Sequence, residues 1–223
     1  MLFRSIADYA LVALRTNPQA KKQLGISTFL VDTKLPGIEV RRISTLGQHA
    51  IGTTEVTFTN VRVPRSALLG EIDKGWSICE DTLRYERLCL SAARIGAARR
   101  AFEFALDYAK TRIQFGKPIG SFQVIQHKFA DMKIMLDTAQ TMVRRYAWLM
   151  ENGQAERADT AVLKYYVGES FKSISDTCLQ VLGGYGYCSE YPMQRFFRDS
   201  RLATIGGGTS EIQKNIIAAT LGL

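Results

Sequence analysis

The chain has 223 residues, of which 46% are hydrophobic and 22% charged. That excludes a disordered or fibrous chain and leaves room for one large domain, or one domain with part of another. No apolar run approaches the roughly 20 residues of a membrane span, and the opening M-L-F-R-S has neither the apolar stretch nor the cleavage signal of a secretory peptide.

The net charge of +8 raises nucleic acid as a partner. The arginines, however, are spread at helical spacing among acids, as in Arg195, Arg198 and Arg201 around Asp199. Solvated helix faces and a phosphate-bearing small ligand account for the excess, so nucleic acid is not the expected partner. Cys79, Cys89, Cys178 and Cys188 show no C-x-x-C pair and no zinc spacing, and read as reduced thiols of an intracellular protein. With only His49 and His127 present, no metal site and no Ser-His-Asp triad is expected.

From residue 6 to about residue 70 the texture is that of strands. The runs YALVAL, ISTFLV, IEVRRI and TEVTFTNVRV are rich in β-branched and aromatic residues, and Gly, Pro and Asn punctuate them. In the last run Val56, Phe58 and, less cleanly, Val61 alternate with polar neighbours, as in a half-buried antiparallel strand. The opening is abrupt and the β part is short, so the chain is expected to be a fragment lacking an N-terminal portion.

From Gly75 onward the texture is helical. The pattern predicts helices over about 75–112, 121–152 and 158–182, a short one near 193–202, and a last one from Ser210 to the C-terminus. Long helices with short links imply an antiparallel bundle. The fold class is therefore α+β, with an antiparallel four-helix bundle over 73–223 following part of an antiparallel, barrel-like β-domain over 1–72.

On a helical wheel at about 100° per residue, Cys79, Leu83, Leu90, Ala93, Ala97, Phe104 and Tyr108 form an apolar stripe on the first helix. Glu86 is the one charge on it. A carboxylate facing a bundle interior has a raised pKa unless a cation compensates, and Arg87 and Arg94 lie near the stripe's edge. Such an acid is either a paired structural residue or a general base.

The run T-I-G-G-G-T-S-E-I-Q at 204–213 places three glycines before a helix start. Ser210 with Gln213 fits an S-x-x-Q capping box. Backbone amides ahead of a helix N-terminus suit a phosphate or a developing oxyanion; a plain helix-entry turn is the alternative. No G-x-G-x-x-G follows a strand, so no Rossmann nucleotide site is expected.

Several long segments together resemble the acyl-CoA dehydrogenases. They are RIQFGKPIGSFQVIQHKFADM at 112–132, QVLGGYGYCSEYPMQRFFRDSR at 180–201 and IGGGTSEIQ at 205–213, with ADYALVALRT, GISTFLVD and NVRVPRSALLGE similar to that family's middle β-domain. The resemblance implies FAD as cofactor and desaturation of an acyl-CoA between its α and β carbons. It also implies electron-transferring flavoprotein as acceptor, a homodimer or homotetramer, and a cytoplasmic or mitochondrial-matrix location. Arg112, Phe115, Gln123, Gln180, Gly183 and Gly184 match FAD-contacting positions that reach a neighbouring subunit's flavin. Thr209, Ser210 and Glu211 match the stretch that touches FAD beside the catalytic turn.

Many members of that family carry a catalytic Glu where this chain has Gly207. A minority, including isovaleryl-CoA and one type of long-chain acyl-CoA dehydrogenase, carry it on the long helix as the E of E-R. Here RYERL supplies Glu86. The resemblance then implies that the Gly207 amide holds the thioester carbonyl. It further implies that Arg84, Tyr85, Arg87, Gly206 and Gly208 line the acyl-CoA site. Gly206, often Tyr, points to a branched or bulky acyl group. A catalytically weak DNA-binding relative is the alternative reading.

Overall fold

The computed structural model describes residues 6–223, so the M-L-F-R-S opening lies outside the described residues. The chain divides into two compact units, Met1–Tyr85 and Glu86–Leu223.

In the first unit all four expected strands form. β1 (Tyr9–Arg15) pairs antiparallel with β2 (Ile26–Asp32), and β3 (Ile38–Arg42) pairs antiparallel with β4 (Thr54–Phe58). A two-residue strand, β5 (Leu68–Leu69), lies on the other edge of β2. These sheets are open, and no closed barrel forms among the described residues. In β4 the alternating set is Thr54, Val56 and Phe58, of which Thr54 is the buried one; Val56 and Phe58 face Val40 and Ile38 in register. Gly75 ends the unit's loop region by close approach. Its amide donates to Ile26 O (2.7 Å), and a Cβ there would stand 2.4 Å from the Thr28 nitrogen.

The long helices appear where punctuation placed them, within two residues. They are α1 (Trp76–Thr111), α2 (Gln123–Glu151) and α3 (Arg157–Leu182). Two strands of two residues, β6 (Ile113–Gln114) and β7 (Lys117–Pro118), form a hairpin between α1 and α2, in the stretch expected to be a plain link. Its turn residues Phe115 and Gly116 have φ of 52° and 78°, as a two-residue hairpin turn requires. α3 starts on a capping box in which Glu156 and Asp159 satisfy each other's backbone donors. After it come a single turn, α4 (Gly184–Tyr187), then α5 (Met193–Ser200), a 3-10 turn over Arg201–Thr204, and α6 (Ser210–Thr220).

The core of the second unit is shared by three helices. Ala98, Ala101, Ala105 and Ala109 of α1 meet Phe129, Met132 and Leu136 of α2 and Phe171, Ile174 and Cys178 of α3. Small residues on α1 let the larger side chains of its neighbours fill the space at native density. This corrects the helical-wheel expectation. The buried face of α1 runs through Arg87, Ser91, Ile95, Ala98, Ala101, Ala105 and Ala109, about 100° round from the predicted stripe. Leu83, Glu86 and Leu90 flank that face and are half-buried, while Arg87 lies on it.

α3 passes the Ala203 backbone at Gly168, where a Cβ would stand 2.7 Å from the Ala203 carbonyl oxygen. That atom belongs to the main chain and cannot rotate away. Gly168→Ala should therefore cost about 1–3 kcal/mol through overpacking. The check is a lower thermal midpoint; an unchanged midpoint would mean that the 3-10 turn shifts freely.

Candidate active site

Three elements of the second unit converge on the glycine turn that precedes α6. α1 carries Glu86, Arg87 and Arg94, α3 carries Lys164 and Glu169, and α6 carries Ser210 and Gln213. Gly207 and Gly208 have φ of 72° and 94°, so the turn uses backbone that side-chain-bearing residues rarely adopt.

The turn is gripped by its carbonyl groups. Arg87 Nε donates to Gly207 O at 3.0 Å. Gln213 Nε2 donates to Gly208 O at 3.1 Å and to Gly207 O at 3.4 Å. The Lys164 ammonium also donates to Gly208 O. Lys164 and Gln213 are fully buried, at 1% and 0% exposure, and Arg87 is nearly so. By contrast, the amides of Gly207 and Gly208 have no acceptor among the described residues. The two carbonyls are thus held by side chains of three helices, and the two unengaged amides remain available as donors, as an oxyanion site requires.

The helix entry differs by one residue from the expectation. Thr209 is the N-cap, its hydroxyl accepting from the Ile212 amide (3.3 Å), so Ser210 and Gln213 form no capping box. Ser210 instead turns inward and donates to Glu169 Oε1 at 2.7 Å. Gln213 turns inward to the glycine carbonyls. Burial would raise the Glu169 carboxyl, but the hydrogen bonds from Ser210 and Lys172 outweigh it and hold it below the usual range. Glu211 is exposed, and its own backbone amide, then the Thr209 hydroxyl, lower its carboxyl.

Glu86 is half-buried at the edge of the buried face. Arg94 is its cationic neighbour: burial lowers the Arg94 pKa and the Glu86 charge opposes that shift. One Arg94 nitrogen, Nη1, is buried with no hydrogen-bond partner, as is Arg84 Nε. Tyr85 is exposed. Of the residues expected to line a substrate site, Arg87 and Gly208 are engaged in holding the turn. Gly206 is half-buried, and a Cβ on it would make ordinary contact with Leu202 at 3.5 Å.

Lys164 was not among the sequence expectations, and neither was the inward role of Gln213. The signal for Lys164 was available, because Ala161, Lys164, Gly168 and Phe171 recur at helical spacing as one stripe of α3 with a single charge. Its pKa is pushed down to about 8, first by burial, then by the Arg94 and Arg87 charges, with Glu169 and Glu211 pulling the other way. A free lysine keeps its proton to about 10.5, so between pH 8 and 10.5 the unfolded chain binds more protons than the folded one. Stability from this group therefore rises with pH across that window. The thermal midpoint of the wild type should climb relative to Lys164→Met from pH 8 to 10.5; a constant difference would contradict the shift.

A second group of expected residues lies at the other end of the long helices. A groove of about 510 Å3 is lined by Arg112, Tyr108, Gly183, Gly184 and Tyr185, among others. The Arg112 guanidinium sits 5.6 Å from the centre of the Tyr185 ring. Cβ atoms on Gly183 or Gly184 would meet nothing within 4 Å, so the backbone there is open. Gln180 is exposed on the last turn of α3, Gln123 is exposed at the start of α2, and Phe115 is 92% exposed at the hairpin tip. A cation, a bare backbone and an aromatic face suit a phosphate-bearing, ring-containing ligand. Thr209, Ser210 and Glu211 are not part of this groove.

Among the described residues no helix is long and apolar enough to cross a membrane. The model of the acyl-CoA dehydrogenase C-terminal domain matches residues 73–222. The chain is 41% identical over 215 residues to the benzylmalonyl-CoA dehydrogenase of Aromatoleum aromaticum, covering 96% of this chain and 56% of that protein. The crystal structure of an acyl-CoA dehydrogenase from Geobacillus kaustophilus superposes with a TM-score of 0.93 at 35% identity, covering 97% of this chain and 58% of that one. A structure titled PigA with FAD and proline gives a TM-score of 0.92 at 33% identity, covering 98% and 57%. The chain thus spans between half and two thirds of the length of these relatives.

Proposed function

The chain belongs to the acyl-CoA dehydrogenase family, and from that premise we propose that it carries the catalytic base and the oxyanion-holding turn of a flavin-dependent acyl-CoA dehydrogenase. The observation that carries this reading is the glycine turn. Its carbonyls are fixed by Arg87, Gln213 and Lys164, and its amides are unengaged.

In this reading Glu86 takes the α proton of the acyl thioester, with Arg94 as its charge partner. The Gly207 amide donates to the thioester carbonyl and stabilises the enolate-like charge as the proton leaves. The missing acid side chain at Gly207 costs nothing in this respect, because the donor is main chain. FAD, when bound, supplies the acceptor for the β hydride. Arg112, Gly183 and Gly184, with Phe115, Gln123 and Gln180, fit its phosphates and rings at the open groove. Thr209 and Glu211 are the proposed contacts beside the turn, while the Ser210 hydroxyl is already committed to Glu169.

We extend the proposal to the family's quaternary features. α1, α2, α3 and α6 form its antiparallel four-helix bundle, the protein is a homodimer or homotetramer, and electron-transferring flavoprotein takes the electrons. Gly206 leaves room for a branched or bulky acyl group, in keeping with the substrate named for the benzylmalonyl-CoA relative. The test is anaerobic mixing of the holoprotein with a panel of straight, branched and aryl-substituted acyl-CoAs. Bleaching of the flavin, fastest with a branched or aryl substrate, is expected. Absence of bleaching across the panel would refute the reading.

A further inference from the structure

We propose that Lys164 is a positioning residue for this reaction: its buried ammonium, acting with Gln213 on the Gly208 carbonyl, holds the turn in the conformation that aims the Gly207 amide at the thioester. The inference rests on the oxyanion role proposed for that amide, but the grip itself is a feature of the chain alone.

The geometry is specific. Lys164 lies in the first third of α3, 1% exposed, and reaches the turn through an ammonium bonded to Gly208 O. Gln213 Nε2 reaches the same oxygen from α6 at 3.1 Å, and Arg87 Nε reaches the neighbouring Gly207 O from α1 at 3.0 Å. A Cβ on Gly208 would stand 2.7 Å from Gln213 Nε2, so the carboxamide packs directly on the glycine backbone. A peptide plane whose oxygen is fixed has its following N–H fixed too. The Gly207 carbonyl shares its plane with the Gly208 N–H and the Gly208 carbonyl with the Thr209 N–H, so gripping both oxygens fixes the two planes that follow the Gly207 amide and restrains that amide through them.

Burying an ammonium is costly, and a carbonyl dipole only partly compensates. Methionine of similar volume would pack at less cost, as buried charged groups replaced by apolar ones often show. The charged groups around Lys164 are Arg87 and Arg94 of α1, Glu169 of α3 and Glu211 of α6. Among the described residues no carboxylate accepts from its ammonium; its bonded partner is the turn. A lysine placed there at that cost is explained by what it holds.

Lys164→Met and Gln213→Met each remove one donor to Gly208 O, so the inference survives a folding failure of either variant. Two measurements are made on wild-type and variant holoproteins. The first is amide hydrogen exchange at Gly206 and Gln213, whose N–H groups are bonded to Leu202 O (2.8 Å) and Thr209 O (3.0 Å) on the two sides of the turn. The second is the limiting rate and acyl-CoA dissociation constant of flavin reduction from pH 6 to 10. Exchange at both amides should rise about 10-fold or more while α2 is unchanged. The limiting rate should fall about 10²-fold, as for loss of one oxyanion donor, with the dissociation constant within about threefold; in Lys164→Met, but not in Gln213→Met, the rate should also lose the decline that follows loss of the Lys164 proton above about pH 8 in the wild type. Unchanged exchange would overturn the grip. Raised exchange with an unchanged limiting rate would overturn the positioning role. If no acyl-CoA reduces the wild type and exchange still rises, the grip stands and the reaction assigned to the turn is what fails.

Discussion

Glu86→Gln should leave acyl-CoA binding to the holoprotein intact and slow flavin reduction by about 10²–10⁴-fold, the usual worth of a positioned general base. The substitution keeps the shape of the side chain and removes only its capacity to accept a proton. The grip on the turn is untouched, because it comes from Arg87, Lys164 and Gln213. The ground-state complex should therefore persist, so the loss should fall on the limiting rate rather than on the dissociation constant. The neutral amide also leaves Arg94 without its anionic neighbour, whose charge opposes the lowering of the Arg94 pKa. Stopped-flow reduction with a saturating acyl-CoA separates the two parameters. A limiting rate within about threefold of wild type would remove Glu86 from the mechanism.

The largest expected effect on stability is at Phe171. Its ring is 2% exposed in the core where α1, α2 and α3 meet, and its neighbours include alanines of α1 that cannot expand to fill a void. Phe171→Ala should cost about 3–5 kcal/mol, combining lost transfer free energy with a residual cavity. Against a typical total of about 5–15 kcal/mol that is a large fraction, enough to populate unfolded chain at growth temperature. Denaturant titration checks it through a lower midpoint. A cost under about 1 kcal/mol would mean that the three-helix core collapses around the vacancy.

Helix ends and strands were legible because the chain marks them with residues of strong local preference. Asn152 and Gly153 end α2, Gly183 ends α3, and the β-branched runs ISTFLV and TEVTF become β2 and β4. The phase of α1 was not legible from large apolar side chains. Its buried face is built of Ser91, Ala98, Ala101, Ala105 and Ala109, residues that a hydrophobic wheel weights lightly but that close helix packing favours. Glu86 is accordingly a flank residue, half-buried and solvent-reachable, and the charge on the interior face is Arg87.

The glycine turn was readable as a bare-backbone element, but its supports were not. Thr209 and Ser210 are both competent caps, and only the three-dimensional register decides that Thr209 caps while Ser210 bonds Glu169. Gln213 fitted a capping role and instead holds the carbonyls from inside. Lys164 lies more than forty positions before the turn it touches, a separation that local patterning cannot bridge. The hairpin at Ile113–Pro118 was likewise hidden, because two-residue strands leave no periodicity to read.

The most direct measurement of the central claim, that Glu86 removes the α proton while the turn stabilises the resulting charge, isolates that step from hydride transfer. A 3-thiaacyl-CoA has sulfur in place of the β carbon and cannot give up a β hydride, so with the holoprotein in deuterium oxide only α-carbon exchange remains to be followed by NMR. The account predicts rapid loss of the α-proton signal with the wild type and exchange slower by about 10²-fold or more with Glu86→Gln. Equal exchange by the two proteins would contradict it.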